Sequence, residues 1–407
     1  MQNFEYYNPV HVVFGPGSVL RAGEIVKNAG GQHALIVSYK NSHSVGSIVQ
    51  KVCDSLEEKG VKYTRFEEVT ANPLISQARA GIKLCEAEGD IDIIVGVGGG
   101  SVMDCAKVIA AGVLYGRDIY SMFMFSHSDI KSINPVRALP TVMIPTLPAT
   151  GSEMNPTAVI TDDETRKKSY VWEPSCLYPK AAILDPELTV SLPPYQTAAG
   201  SIDILAHVAE SYLNPDPLVS DAPGGAVKSN LDLQDGMQEG VMKAVLKNLE
   251  IVYRDPGDLQ ARGVLMWAAS IGLNGWLTSG TFGFTPMHQM GHVLSAVYNA
   301  THGATLCCMM RAWCIFMSRK APAEKRRYTQ FARRILGVPL SRAGEAIEQL
   351  GAKYGVETHI SRFGATAADI DRLTDDVVKV SFGPDGFLNS NPKMSREDIR
   401  EIYMISL

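Results

Sequence analysis

The chain has 407 residues, of which 45% are hydrophobic and 20% charged, and its formal net charge is −5. This length suits two domains rather than one small core, and the composition is that of a soluble globular protein. The negative net charge and the lack of a basic stripe argue against a nucleic-acid partner, and no apolar run approaches the length that spans a membrane.

The N-terminus and the cysteines indicate the compartment. The first residues, MQNFEYYNPV, include an acid and no apolar core, so they do not form a signal peptide. The seven cysteines show no C-x-x-C pattern. We expect them to be reduced core residues, and the adjacent pair Cys307 and Cys308 to be buried rather than a thiol metal site. A cytoplasmic protein is predicted.

Strand and helix patterns alternate through the first half of the chain. Residues 4–14 alternate apolar and polar and end at a glycine-proline-glycine turn, which predicts a strand or hairpin arm. The next predicted strands are His33–Tyr39, Val61–Phe66, Ile91–Val97, residues 140–145, residues 158–161 and residues 181–184. Helical patterns at residues 45–59 and 72–88 separate the first three of these. This alternation predicts an α/β domain with a buried parallel sheet.

A glycine-rich turn follows Ile91–Val97. Gly98, Gly99, Gly100 and Ser101 lead into a predicted helix at residues 102–111. Backbone N–H groups and a helix N-terminus at such a turn form an anion site suited to a pyrophosphate, although tight strand-to-helix packing explains an isolated glycine turn equally well. The turn follows the third strand of the set rather than the first, so the ribose-binding residue is expected earlier, after Val37.

Helical periodicity dominates after residue 192. Predicted helices cover residues 194–213, 234–248, 259–277, 286–298, 302–318, 323–336, 342–354 and 367–378. Ser395 and Asp398 form a predicted capping box for a last helix. We therefore predict an α/β dinucleotide-binding domain over residues 1–190 and an all-helical metal-binding domain over residues 191–407.

Three of the nine histidines lie within fifteen residues in the stretch Gly283–Gly303. Pro286 is predicted as the first residue of a helix that Thr285 caps, so His288 and His292 share one helical face, and His302 begins the next element. This density favours a metal or proton-transfer site over satisfied core histidines.

A second part of this site is predicted on the helix that begins at Pro194. Asp203 and His207 lie four residues apart on one face, where a simple hydrogen bond between them is the alternative interpretation. Together with His288 and His302 they would offer one carboxylate and three imidazoles. That set suits iron(II) or zinc.

Five blocks of the sequence resemble the iron-containing (group III) alcohol dehydrogenases, most closely their butanol-dehydrogenase-like branch. The blocks are VGVGGGSVMDCAK at 95–107, PTLPATGSEMNPTAVITD at 145–162, AILDPELTVSLP at 182–193, GSIDILAHVAESY at 200–212 and HQMGHVLSAVYNATHG at 288–303. The resemblance implies a dehydroquinate-synthase-like fold with an N-terminal dinucleotide-binding domain, a helical C-terminal domain and an active site in the cleft between them.

Several residue roles are implied by this resemblance. The metal ligands would be Asp203, His207, His288 and His302, and His292 would lie beside the metal as a catalytic residue without ligating it. One departure from butanol-type relatives is Gly291, where they often carry glutamate. The positions expected to contact the cofactor are Gly98, Gly99, Gly100, Ser101, Asp104, Thr146 and Lys168, although the run Arg166–Lys168 leaves the register of the last one open.

The function implied is hydride transfer between a nicotinamide cofactor and a primary alcohol or aldehyde at a bound Fe2+ or Zn2+. The alternative is a lyase or cyclase of the dehydroquinate-synthase type, which shares the fold and a metal but uses its cofactor only transiently. Such enzymes typically place a glutamate among the ligands and several lysines around the substrate. A non-catalytic metal or nucleotide sensor is a third class.

The turn Ser38–Ser42 is expected to select the cofactor. NAD-using members of the family commonly carry aspartate at the position of Tyr39, where an acid would bind both ribose hydroxyls. Here Lys40 offers a positive charge, Ser42 a hydroxyl and Tyr39 an aromatic face, so we predict NADP(H) ahead of NAD(H). The alternative is a solvent-exposed lysine with NAD held through its diphosphate alone. The resemblance also implies a homodimer, for which the strand at residues 4–14 is the candidate interface.

Overall fold

The computed structural model describes residues 3–41, 43–123, 132–214, 231–281 and 283–407. These residues form two compact units. The sheet unit comprises residues 7–192 and 254–274, and the helical unit comprises residues 193–253 and 275–407 with the described part of residues 1–6. The domain division at residues 190 and 191 stays a prediction.

The strands all belong to the sheet unit. In chain order they are β1 (His11–Phe14), β2 (His33–Tyr39), β3 (Lys62–Val69), β4 (Ile93–Gly98), β5 (Thr141–Pro145), β6 (Thr157–Thr161), β7 (Lys168–Trp172) and β8 (Ala181–Leu184). Six of them form a parallel sheet in the order β1-β8-β5-β4-β2-β3, and β6 pairs with β7 separately. The predicted parallel sheet is thus confirmed.

The sheet is buried on both faces. Alternate residues of β2 belong to different apolar clusters, with Leu35 and Val37 in one and Ala34 and Ile36 in the other. A strand buried on both sides needs a continuous apolar sequence, which is why β2 shows no polar alternation. Helices cover such sheets on either face in doubly wound folds.

Two details of the strand prediction were wrong. The described part of residues 4–14 is strand only over His11–Phe14. The other is an antiparallel hairpin of β6 and β7, whose second strand the sequence pattern did not indicate. In β7 both Tyr170 and Trp172 are exposed, so this short strand lacks the apolar alternation that marks a half-buried one.

Apart from the first helix, which no sequence pattern indicated, the helices lie near the predicted positions. They are α1 (Ala22–Asn28), α2 (His43–Glu58), α3 (Ile75–Glu88), α4 (Gly100–Tyr115), α5 (Pro194–Leu213), α6 (Asp232–Arg254), α7 (Leu259–Gly272), α8 (Pro286–Tyr298), α9 (His302–Ser318), α10 (Arg326–Arg334), α11 (Ala343–Tyr354), α12 (Ile370–Ser381) and α13 (Arg396–Ser406). Prolines begin α5 and α8, and Ser395 and Asp398 form the predicted capping box of α13. Helix α7 ends five residues earlier than predicted and belongs to the sheet unit.

Helix α9 is the central helix of the helical unit, where it packs against α5, α8, α11 and α13. Its start lies directly on α5, because a Cβ added at Gly303 would be 1.9 Å from the Ala199 carbonyl oxygen. Glycine at this position therefore allows a backbone approach that no other residue permits. The approach brings His302, the first residue of α9, beside the middle of α5.

Among the described residues, no helix is both long enough and apolar enough to cross a membrane.

Candidate functional site

Three helices of the helical unit bring the predicted metal ligands together. Asp203 and His207 occupy successive turns of α5, His288 lies in the first turn of α8, and His302 begins α9. Asp203, His207 and His288 are all buried, with exposed fractions of 3%, 6% and 5%. Polar groups buried this deeply are costly unless they are paired or bind an ion.

The four side chains converge on one carboxylate oxygen. Asp203 Oδ1 lies 3.4 Å from His207 Nδ1, 3.8 Å from His288 Nε2 and 3.9 Å from His302 Nε2. In the triad Asp203, His207 and His288, one donor atom from each residue lies within 4.8 Å of the others. Ligand atoms around a four-coordinate metal with bonds of about 2.1 Å lie about 3.4 Å apart, so these separations fit a single ion.

The donor atoms are also chemically available. Asp203 Oδ1, His207 Nδ1 and His288 Nε2 are buried and accept or donate no hydrogen bond. Leaving such atoms unsatisfied costs on the order of 1–3 kcal/mol each, which a bound cation would offset. Imidazole and carboxylate together suit iron(II) or zinc. The residues present therefore fit the metal that the sequence resemblance implies.

Burial and neighbouring charges shift the pKa values of two of the histidines in opposite directions. His207 stacks on His288 with ring centroids 4.1 Å apart. Burial, together with the neighbouring His288, lowers the pKa of His207 to about 3 and keeps it neutral, which is the metal-binding form. Burial acts to lower the pKa of His288 as well, but the carboxylates of Glu210 and Asp203 outweigh it and raise that pKa to about 9. A cation bound at Nε2 would release this proton.

Glu210 is a site residue that the sequence interpretation missed. It follows His207 by three residues on α5, is fully buried, and contacts Nδ1 of His288. The spacing of 203, 207 and 210 on one helical face was the available signal, because residues three and four apart are neighbours on a helix.

His292 lies at the edge of the cluster. Its ring stacks on His302 at a centroid distance of 5.0 Å and stands edge-on to His288 at 6.1 Å. It is only partly buried. The position of His292 one turn beyond His288 on α8 is the one that the sequence predicted.

The glycine turn lies in the sheet unit, where the strand order reverses. The chain passes from β2 outward to β3 and returns to β4 on the other side of β2. Ligands of doubly wound folds bind at the carboxyl ends of the strands at such a switch point. Both Tyr39 and Gly98 end their strands there.

Close packing explains each glycine of this turn. A Cβ added at Gly98 would lie 2.6 Å from Cγ2 of Val102, and one at Gly100 would lie 2.6 Å from Oγ1 of Thr150. Gly99 is the N-cap residue of α4, and because glycine has no side chain it cannot cap the backbone N–H groups of the first turn. The N-terminus of α4 thus presents backbone N–H groups where the sequence predicted an anion site.

Tyr39 lies against this turn. A Cβ added at Gly99 would be 2.9 Å from the Tyr39 hydroxyl oxygen. Burial raises the pKa of Tyr39 to about 12, while hydrogen bonds from the Gly99 backbone and the Ser101 side chain oppose the increase. The phenol oxygen therefore lies beside the same groups that were predicted to bind the diphosphate.

The remaining predicted cofactor residues surround the turn. Thr146 is buried, and its N–H donates to the Gly98 carbonyl at 3.0 Å. Asp104 accepts hydrogen bonds from the Ser152 hydroxyl at 2.6 Å and the Val159 N–H at 3.0 Å. Lys168 begins β7. Their contacts with a cofactor stay predictions.

The turn after β2 carries a negative charge beside its lysine, which the local sequence did not indicate. The Lys40 ammonium lies 2.7 Å from the Glu68 carboxylate of β3, and both side chains are about half exposed. Ser42 lies outside the described residues.

Known proteins resemble the chain along its whole length. The family model for the iron-containing alcohol dehydrogenases matches residues 9–186, and that for their C-terminal region matches residues 197–407. NADH-dependent butanol dehydrogenase A of Clostridium acetobutylicum is 32% identical over 99% of both chains. NADPH-dependent aldehyde reductase YqhD of Escherichia coli is 28% identical over 92% of both.

A solved structure gives the same result for the fold. NADH-dependent butanol dehydrogenase A of Thermotoga maritima is 32% identical to this chain and superimposes on it with a TM-score of 0.89. The match covers 100% of this chain and 99% of the Thermotoga chain. The expected dehydroquinate-synthase-like fold is thereby confirmed. With family models matching both halves, the chain belongs to the iron-containing alcohol dehydrogenase family.

Proposed function

We propose that this protein is a metal-dependent alcohol dehydrogenase or aldehyde reductase that interconverts a primary alcohol and its aldehyde with a nicotinamide cofactor. The observation that carries the proposal is the buried cluster of Asp203, His207, His288 and His302, whose donor atoms converge within 4 Å of Asp203 Oδ1. Membership of the iron-containing family supports Fe2+, and Zn2+ would suit the same atoms.

In this proposal the protein holds the metal-ligating side chains in place and keeps water away from them. Bound at this cluster, the metal supplies Lewis-acid chemistry at the substrate oxygen, and the cofactor supplies or accepts hydride. Asp203 would bring one negative charge to the ion directly, and the buried Glu210 carboxylate adds a second behind His288. Burial of Asp203 and His207 lowers the local dielectric, which would strengthen the attraction between a bound cation and the substrate oxygen.

His292 is proposed to move the proton. One face of its ring stacks on His302 of the cluster, and because the residue is only partly buried it retains access to solvent. An imidazole has a pKa near neutrality, which suits it to pass a proton between substrate oxygen and water.

We propose further that NADP(H) is preferred over NAD(H). Tyr39 ends β2 at the switch point, where an acid would bind the ribose hydroxyls, and the half-exposed Lys40 follows it. A 2′-phosphate would compete with Glu68 for the Lys40 ammonium and gain a charge-assisted hydrogen bond.

The experiment that tests the function is an absorbance assay of net cofactor consumption with straight-chain aldehydes from two to eight carbons. We expect stoichiometric oxidation of NADPH by at least one aldehyde, with the best chain length identifying the substrate class. A lyase that uses its cofactor transiently would consume none. No net cofactor consumption with any aldehyde or with the matching alcohols would contradict the proposal.

We also propose a cytoplasmic homodimer. Strand β1 forms one edge of the sheet, and an edge strand is a surface on which a second chain can pair. All seven cysteines are free thiols, as expected for a reducing compartment. Light scattering should give twice the mass of one chain, and a monomer at micromolar concentration would contradict the proposed assembly.

A further inference from the structure

A carboxylate from α5 caps the first turn of α8. Thr285 is the N-cap residue of α8, but its side chain makes no capping hydrogen bond. Instead Glu210 Oε1 accepts hydrogen bonds from the backbone N–H groups of Met287 and of His288, the latter at 3.2 Å. Negative charge at a helix N-terminus is favourable, so Glu210 fixes where α8 begins.

The other oxygen of the same carboxylate fixes the His288 ring. Glu210 Oε2 contacts Nδ1 of His288, so Nδ1 carries the proton in the neutral ring and Nε2 keeps its lone pair. Nε2 is the nitrogen that faces Asp203 Oδ1, at 3.8 Å. Glu210 therefore controls both the position of His288 and the tautomer that can bind a cation.

We propose that Glu210 is a positioning residue for the metal centre, which it serves by holding His288 through two hydrogen bonds to that residue and one to Met287, without ligating the ion itself. This proposal rests on the proposed function, since it assigns Glu210 a role toward the metal of that site. It is distinct from the four ligands, because both oxygens of Glu210 are engaged by His288 and Met287.

The discriminating variant is Glu210→Gln, which keeps the shape of the side chain. A carboxylate accepts hydrogen bonds on both oxygens, whereas an amide has one acceptor and one donor group. Glutamine can therefore satisfy either the two backbone N–H groups or the protonated Nδ1 of His288, but not both. Facing Nδ1 with its NH2 group, it would favour the tautomer that protonates Nε2.

The measurement is the metal dissociation constant of each purified protein, determined by competition with a chelating indicator, together with the visible spectrum of the cobalt(II) form. We expect Glu210→Gln to bind metal about 10- to 100-fold more weakly than the wild type and to change the cobalt spectrum. The matched control is Glu239→Gln on α6. Glu239 is a partly buried glutamate that accepts hydrogen bonds from Tyr212 and Arg334, and its replacement should leave both readouts unchanged.

Three further results decide the outcome. Unchanged metal affinity in Glu210→Gln, with a lower melting temperature of the metal-free protein, would show a purely structural role and overturn the proposal. If Glu210→Gln does not fold, Glu210→Asp is measured in the same way, and wild-type affinity in that shortened variant would also overturn it. A wild type that binds no divalent metal would refute the proposed function as well, which separates the two failures.

Discussion

Replacing His288 with alanine is expected to remove the bound metal and to abolish alcohol and aldehyde turnover. The ring supplies one of the donor atoms around Asp203 Oδ1 and stacks on His207, so its loss removes one of the four proposed ligands. Lewis-acid stabilisation at such a centre contributes several kcal/mol to the transition state. A loss of about 4 kcal/mol corresponds to roughly a thousandfold in rate.

The measurement is elemental analysis of the purified variant alongside its rate of NADPH oxidation with an aldehyde. The matched control is His359→Ala in the same unit, where the ring contacts the Thr358 hydroxyl away from the cluster and should be dispensable. Because His288→Ala also leaves Glu210 without its partner, His302→Ala provides a second variant that does not disturb that carboxylate. Stoichiometric metal with wild-type turnover in both variants would refute the assigned ligand set.

Replacing Tyr39 with aspartate is expected to reverse the cofactor preference. We expect the wild type to use NADPH with more than tenfold higher catalytic efficiency than NADH, equivalent to about 1.4 kcal/mol. Aspartate at the end of β2 would accept hydrogen bonds from the ribose hydroxyls and repel a 2′-phosphate. Because the Tyr39 hydroxyl lies against Gly99 of the glycine turn, its replacement also opens space there for the diphosphate of either cofactor.

Two control variants separate charge from the loss of the ring. Tyr39→Asn has the size of aspartate without its charge and should keep the NADPH preference, although it removes the same aromatic contacts. Tyr39→Phe removes only the hydroxyl that lies against Gly99. A wild type that prefers NADH, or an aspartate variant with unchanged preference, would mean that this turn does not recognise the 2′ position.

Local sequence signals predicted the elements that carry the site. Pro194 and Pro286 at helix starts, the four-residue spacing of Asp203 and His207, and the glycine turn after β4 all depend on neighbours in the chain, and each was found where predicted. The convergence of α5, α8 and α9 is a long-range property. The sequence indicated it through the shared ligand chemistry of the four side chains and through resemblance to a family.

Long-range partners account for what the sequence did not show. The role of Glu210 could not be predicted from its neighbours in the chain, because its partners Met287 and His288 lie 77 and 78 residues further along. The pairing of β2 with β4 brings the Tyr39 hydroxyl onto the glycine turn, a neighbour that the sequence did not indicate. The sequence did not show that Lys40 has an acidic partner, because Glu68 reaches it only through the pairing of β2 with β3.

The most direct test of the account is aldehyde reduction by the wild-type protein before and after metal removal. Protein purified without oxygen would be assayed for metal content and net NADPH consumption, stripped with a chelator, and then reloaded with Fe2+ or Zn2+. We predict one divalent ion per chain, loss of turnover on stripping and recovery on reloading with at least one of the two ions. Full turnover in protein shown to be metal-free would contradict the account.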